Sequence, residues 1–155
     1  MELGRNGKTK VCIGETMKFS LKNGSIPLLT TKKMAWKTCL RELIWFIGGH
    51  TDNAILQRNN VGIWNGNSSR NFLDSRGLQE RNVNDLGPIY GFQWRHFGDK
   101  YIDSQSTYKG IDQLQQVVDQ LKCRNDNRRL IMTAWNPTQL DEMALPPCHI
   151  LSQFH

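Results

Sequence analysis

The stretch Asp126-Asn127-Arg128-Arg129-Leu130-Ile131-Met132-Thr133-Ala134-Trp135-Asn136-Pro137 decides the reading of this chain, together with Leu140-Asp141-Glu142-Met143-Ala144-Leu145-Pro146-Pro147-Cys148-His149 two residues further on. An arginine pair precedes a short apolar run. Asn-Pro ends that run, and two prolines lead into a Cys-His pair. Leu130 to Trp135 reads as a buried strand, and Cys148 to Phe154 as the start of another. Cations, a thiol and stiff backbone thus fall within one supersecondary unit.

A thiol attacks as its thiolate, which a nearby guanidinium or imidazole favours. Pro146-Pro147 fixes the backbone before Cys148 and removes two N–H donors, which suits a nucleophile held in one pose. The alternative for Cys148 is a small buried hydrophobe. Arg128 and Arg129 carry planar forks that suit phosphate oxygens, or they cap the preceding helix at the surface. At a strand start the two would point to opposite faces, so one subunit could use at most one of them for its own nearby pocket. His149 would face away from Cys148 along a strand, so hydrogen bonding or packing suits it better than acting as the thiol's base.

Working outward, residues 110–122 keep apolar groups at helical spacing (Ile111, Leu114, Val117, Val118, Leu121), and Asn125-Asp126-Asn127 closes that helix. Residues 86–95, Leu-Gly-Pro-Ile-Tyr-Gly-Phe-Gln-Trp-Arg, read either as a shaped binding wall or as an aromatic-anchored loop packed on the core. Residues 65–87 are polar and read as a long irregular loop. Asp52 is the expected N-cap of a short helix that Asn59-Asn60 breaks. The clearest helix spans residues 34–48, where Trp36, Leu40, Leu43, Ile44 and Ile47 form one apolar stripe expected to face the core, and Gly48-Gly49 stops it. Glu42 lies off that stripe, where an acid is ordinarily solvated or ion-paired. Lys10–Ile13 and Met17–Leu21 are strand candidates, and Lys22-Asn23-Gly24 is a tight turn of the hairpin type.

The 155 residues suffice for one domain with a real core, and 38% hydrophobic with 22% charged residues is ordinary for a globular chain. The net charge of +6 reflects either a solvated basic surface or an anionic partner. Lys and Arg form no long run, which favours a local phosphate site over a nucleic-acid footprint. Four cysteines without a Cys-x-x-Cys pair argue against a zinc site and for reduced thiols in a cytosolic compartment. No apolar run approaches ~18 residues, so no membrane span is expected.

The same residues closely resemble the thymidylate synthase family. The resemblance runs through Arg5 to Thr9, Pro27 to Lys33, Glu42 to Phe46, Ile63-Trp64, Asp85 to Gly98 and Asp126 to Phe154. The segments Leu86 to Gly98 and Met143 to His149 are the most specific. Ser69-Arg70-Asn71-Phe72-Leu73-Asp74 looks like the eukaryotic and large-virus branch, while Asn65 stands where an acid usually follows the tryptophan. The resemblance implies a mixed α+β fold, a large sheet flanked by helices, with residues 1–155 as one partial domain that is incomplete at its C-terminus and inactive by itself. It implies methylation of dUMP to dTMP with 5,10-methylenetetrahydrofolate as donor of carbon and hydride, and no metal. Cys148 would be the nucleophile adding to C6 of uracil, with Glu42 and Tyr90 in the proton-transfer network. Trp64 would line the folate side, and Arg5 would hold the nucleotide phosphate. Arg128 and Arg129 would reach the partner's phosphate in a cytoplasmic homodimer, with no requirement for nucleic acid. Two other readings remain: deoxycytidylate hydroxymethylase, which shares the cysteine and the folate donor, and a non-catalytic truncated product with a protein- or RNA-binding surface.

Overall fold

A computed structural model describes residues 2–4, 7–123 and 128–155. The chain divides into two compact units, Met1–Met34 and Ala35–His155. In the first, β1 (Glu2–Gly4) pairs antiparallel with β2 (Gly7–Thr9). The strands expected at Lys10–Ile13 and Met17–Leu21 are absent. Val11, Ile13, Met17, Phe19 and Leu21 are all exposed there, and without a partner ladder extended backbone gains nothing over water. The expected turn is present: Asn23 and Gly24 both take positive φ, 59° and 71°, and Ser25 N donates to Lys22 O at 3.2 Å.

Among the described residues, the second unit carries five α-helices and a short ladder. They are α1 (Trp36–Ile47), α2 (Asn53–Arg58), α3 (Arg70–Ser75), α4 (Tyr90–His96), α5 (Gln113–Lys122), β3 (Ile131–Thr133) and β4 (Leu151–Gln153). The α+β character holds, with a small sheet component: β3 pairs antiparallel with β4, Met132 opposite Ser152. Asp52, Ser69 and Asp112 cap α2, α3 and α5 by accepting from backbone N–H groups. The expected closure of α5 at Asn125-Asp126-Asn127 lies outside the described residues.

Sequence expectations for this unit also change. The stripe of α1 is not its buried face: Trp36, Leu40, Leu43, Ile44 and Ile47 are each 42–58% exposed, while Trp45 and Phe46 are 2% exposed. Phe46 packs on Tyr90 and Trp94 of α4, with ring centroids at 4.6 and 5.6 Å. The 65–87 loop contains α3, whose inward Leu73 is fully buried and whose Arg70 ties the following loop by donating to the carbonyls of Leu78 and Arg81. Residues 90–96 form the buried helix α4 rather than a loop.

The remaining core gathers on α4. Gln93 is fully buried; its Nε2 donates to Pro88 O and to Gln139 Oε1. Gln113 at the start of α5 accepts from Thr133 N and donates to Thr133 O, acting as a strand neighbour on the free edge of β3. The stretch Leu130 to Trp135, expected as a buried strand, is strand only at Ile131–Thr133 and is buried on alternate residues: Leu130, Met132 and Ala134 are buried, whereas Ile131 and Trp135 are exposed. A 3-10 turn at Pro137–Glu142 then brings the chain back, and Ala144 N donates to Leu86 O just ahead of α4.

Candidate active site

Residues 42, 45 and 46 share one face of α1, so Glu42 emerges beside the two aromatics that α1 buries. Its carboxylate accepts a hydrogen bond from Trp64 Nε1 at 2.7 Å. Trp64, 6% exposed, follows α2 and meets the ring of Tyr90 edge-on, with centroids 6.4 Å apart. Tyr90 opens α4, and its hydroxyl accepts from Cys148 N at 2.6 Å. Glu42, Trp64, Tyr90 and Cys148 thus form one continuous chain of contacts drawn from α1, the α2–α3 loop, α4 and the β3–β4 connection.

Burial raises the pKa of Tyr90, and the neighbouring Cys148 and Glu42 push it the same way, against the N–H groups of Cys148 and His149. Tyr90 therefore stays protonated at neutral pH. Because it accepts from Cys148 N–H, its own proton is left to donate to another group. His149 stacks on Tyr90 at 4.1 Å and 18°, with Phe46 and Trp94 close by. That packing strips water from the imidazole and lowers its pKa, partly offset by the charge of Glu42. Cys148 and His149 lie in a bend ahead of β4 rather than in a strand, and the imidazole packs against these rings.

Cys148 is exposed, as are Cys12, Cys39 and Cys123, and all four are free thiols. Arg128 and Arg129 are exposed in the turn leading into β3 and form no link in the Glu42–Cys148 chain of contacts. They precede the strand rather than start it, and Gln153 Nε2 fastens the turn by donating to Arg128 O at 2.8 Å. Arg5 lies outside the described residues. Among the described residues, no cluster of three His, Cys, Asp or Glu could hold a metal, and no helix is long and apolar enough to cross a membrane.

Sequence reasoning passed over Phe46, which touches Tyr90, Trp94 and His149. The signal was present in the Trp-Phe doublet one turn beyond Glu42. Asn65, in the position where the family usually has an acid, accepts from Asn53 and Gln57 and ties the Trp64 loop to α2. An exposed thiol beside a protonated phenol and a carboxylate can add to an electrophilic carbon and move protons around it.

The family model for thymidylate synthase matches residues 2–155. The chain belongs to the thymidylate synthase family. It is 54% identical over 141 residues to the thymidylate synthase of Saccharomyces cerevisiae, covering 90% of this chain and 46% of that protein. It is 53% identical over 151 residues to the probable thymidylate synthase of Schizosaccharomyces pombe, covering 96% and 24%. Against bifunctional dihydrofolate reductase-thymidylate synthase 1 of Arabidopsis thaliana the identity is 54% over 144 residues, covering 92% and 28%. The chain therefore spans about a quarter to just under half the length of these relatives.

Proposed function

We propose that the protein carrying this sequence methylates dUMP to dTMP, with 5,10-methylenetetrahydrofolate as the second substrate. The observation that carries the reading is the contact chain Glu42–Trp64–Tyr90–Cys148 in a member of the thymidylate synthase family. Cys148 is the nucleophile. Its sulfur adds to C6 of the pyrimidine, which makes C5 nucleophilic toward the one-carbon unit, and it leaves again once C5 has lost its proton. Folate supplies the carbon and the hydride.

Tyr90 holds the backbone of Cys148 in place and offers its free O–H proton toward the reacting base. Glu42, oriented by the Trp64 indole, is the acid–base group for proton movements around C5. Trp64 is nearly buried and committed to Glu42, so any contact with folate falls to the rim of the indole left to solvent.

Arg5 holds the nucleotide phosphate. Arg128 and Arg129, set in an exposed turn outside that contact chain, serve the phosphate of a second copy in a cytoplasmic homodimer.

Release of tritium from dUMP labelled at C5, in the presence of the folate, tests the reading. The expected result is release by the whole protein that carries this sequence and none by its Cys148→Ser variant. Faster turnover of dCMP than of dUMP would assign the chain to deoxycytidylate hydroxymethylation instead. Mixing Cys148→Ser with an Arg128→Ala/Arg129→Ala variant should restore activity, because the hybrid regains one site with both a cysteine and an arginine pair. Two inactive proteins that stay inactive when mixed would sink the shared-site reading.

A further inference from the structure

The loop between α3 and α4 holds an arginine whose chemistry the reaction above does not use. Arg81 is largely buried, with 12% of its side chain exposed, and its guanidinium lies over the Tyr101 ring at 4.9 Å. Its Nε is sealed from solvent and has no hydrogen-bond partner among the described residues. Its nearest acid, Asp85, stands at 3.7 Å from Nη1, beyond hydrogen-bond reach.

Asp85 cannot readily come closer. Its Oδ1 already accepts from Gly87 N at 2.9 Å and from the Tyr101 hydroxyl at 2.7 Å, and its Oδ2 accepts from Ser104 N at 3.0 Å. Arg81 thus has a neutralising charge nearby but no acceptor. Arg70 differs: it donates from Nε to Asp74, from Nη1 to Arg81 O and from Nη2 to Leu78 O. The sealed Nε–H without a partner is a local cost, and the terminal nitrogens, which make no hydrogen bond to protein among the described residues, are the donors left for a ligand.

Arg81 and Asp85 line a cavity of about 220 Å³ together with Leu78, Glu80, Ile102 and Asp103. A volume of about 220 Å³ has room for roughly seven water-sized groups, the scale of a small metabolite rather than a nucleotide. The cavity's charges are mixed. Beyond the paired Arg81 and Asp85, its lining includes Glu80 and Asp103, the latter with Oδ1 already accepting from Gln105 N, Ser106 N and Ser106 Oγ and Oδ2 left over. A plain anion would meet these two acids as well as the guanidinium. A plain cation would leave the guanidinium unsatisfied. A molecule with a carboxylate and an ammonium on one short skeleton answers both, and Leu78 and Ile102 can cover its carbon chain.

We propose that this cavity is a binding site for a small zwitterion of the amino-acid class. The carboxylate accepts from the Arg81 guanidinium, and the ammonium is held by Glu80 and Asp103. The site lies apart from the Glu42–Cys148 contact chain and shares no residue with it.

The test follows the Arg81 Nε–H resonance by proton–nitrogen NMR in the native protein, assigned by the signal that disappears in Arg81→Lys. The probes are glycine, L-alanine, acetate and methylammonium at neutral pH. Glycine and alanine should move the resonance saturably, with midpoints about tenfold below that of acetate, since about 1.4 kcal/mol from the second charge contact is tenfold in affinity. Methylammonium should leave it in place. Glu80→Gln, at an exposed position, should bring glycine toward acetate. Ile102→Trp, also at an exposed position, should fill the cavity and abolish the shift in a folded protein. If Arg81→Lys does not fold, through-bond correlation from the Arg81 backbone to its side chain assigns the resonance in the native protein. Equal response to acetate and glycine, no response to any probe, or a response that survives Ile102→Trp would each overturn the proposal.

Discussion

At the scale of single residues, the site is organised by two hydrogen bonds: Trp64 to Glu42 and Cys148 N–H to Tyr90. Trp64→Phe keeps an aromatic ring in the core but deletes the indole donor and some packed volume. It should destabilise the fold by about 1–3 kcal/mol, the range for a hydrogen bond to a charged group, measured as a shift in urea midpoint. A midpoint unchanged from the native protein would mean that water replaces the indole without loss. His149 and His96 make a second prediction. Burial lowers both pKa values from the ordinary 6.5, so the folded protein prefers them neutral. Below pH 6.5 the unfolded chain binds their protons first, so stability is fully present above about pH 6.5 and falls as pH drops through the lowered folded values. His149→Phe keeps the ring stacked on Tyr90 and should flatten the part of that acid loss due to His149, leaving the part due to His96. Urea midpoints collected from about pH 7 down to about pH 5 measure this, and an unchanged slope in His149→Phe would remove His149 from the account.

At the scale of elements, α4 shows why a sequence can conceal a helix. Gly87-Pro88 and Gly91 make residues 86–95 look like loop, yet each glycine answers a contact made elsewhere. Gly87 has φ of 78°, and a Cβ there would strike the carbonyl of Glu142. Gly91 lets α4 lie backbone to backbone on the end of α1, where a Cβ would sit 2.6 Å from His50 O and 2.9 Å from Gly49 C. In a free helix, Gly→Ala gains about 1 kcal/mol. In α4, Gly91→Ala should reverse that sign and lower the thermal midpoint, because backbone cannot step aside as a flexible side chain can. A stabilised Gly91→Ala protein would show that α4 and the α1 terminus are not in contact.

The same logic sorts what was legible. The cap at Asp52, the helices α1 and α5, the Lys22–Ser25 turn and the strands β3 and β4 depend on local chemistry and could be read directly, whereas the cap at Asp112 was not. The cluster of Cys148, Glu42, Tyr90 and Trp64 was legible only through family resemblance, since its members meet by tertiary contact. Helix α3 escaped because it is short and buries only Leu73, leaving almost no periodic signal.

At the scale of the whole molecule, the deciding question is which side of α1 is core. The run Leu43-Ile44-Trp45-Phe46-Ile47 is apolar on every side, so periodicity detects a helix and cannot choose its inward face. The partners decide it: Tyr90, Trp94 and His149 gather on Phe46, leaving Ile44 58% exposed. The two placements separate by experiment. If Ile44 were core, Ile44→Lys would bury an unpaired ammonium and cost several kcal/mol. With Ile44 at the surface, the substitution should change the urea midpoint by no more than about 0.5 kcal/mol equivalent. It should also reduce binding of a hydrophobic dye, because it breaks the patch that Leu40, Leu43, Ile44 and Ile47 expose together. Phe46→Ala provides the scale: it removes a ring that is 2% exposed and should cost about 3–5 kcal/mol. If Ile44→Lys proved as damaging as Phe46→Ala, the inward face of α1 would have to be reassigned. Glu42 would then leave the side of the helix that faces Trp64 and Tyr90, and the contact chain to Cys148 would be broken at its first link.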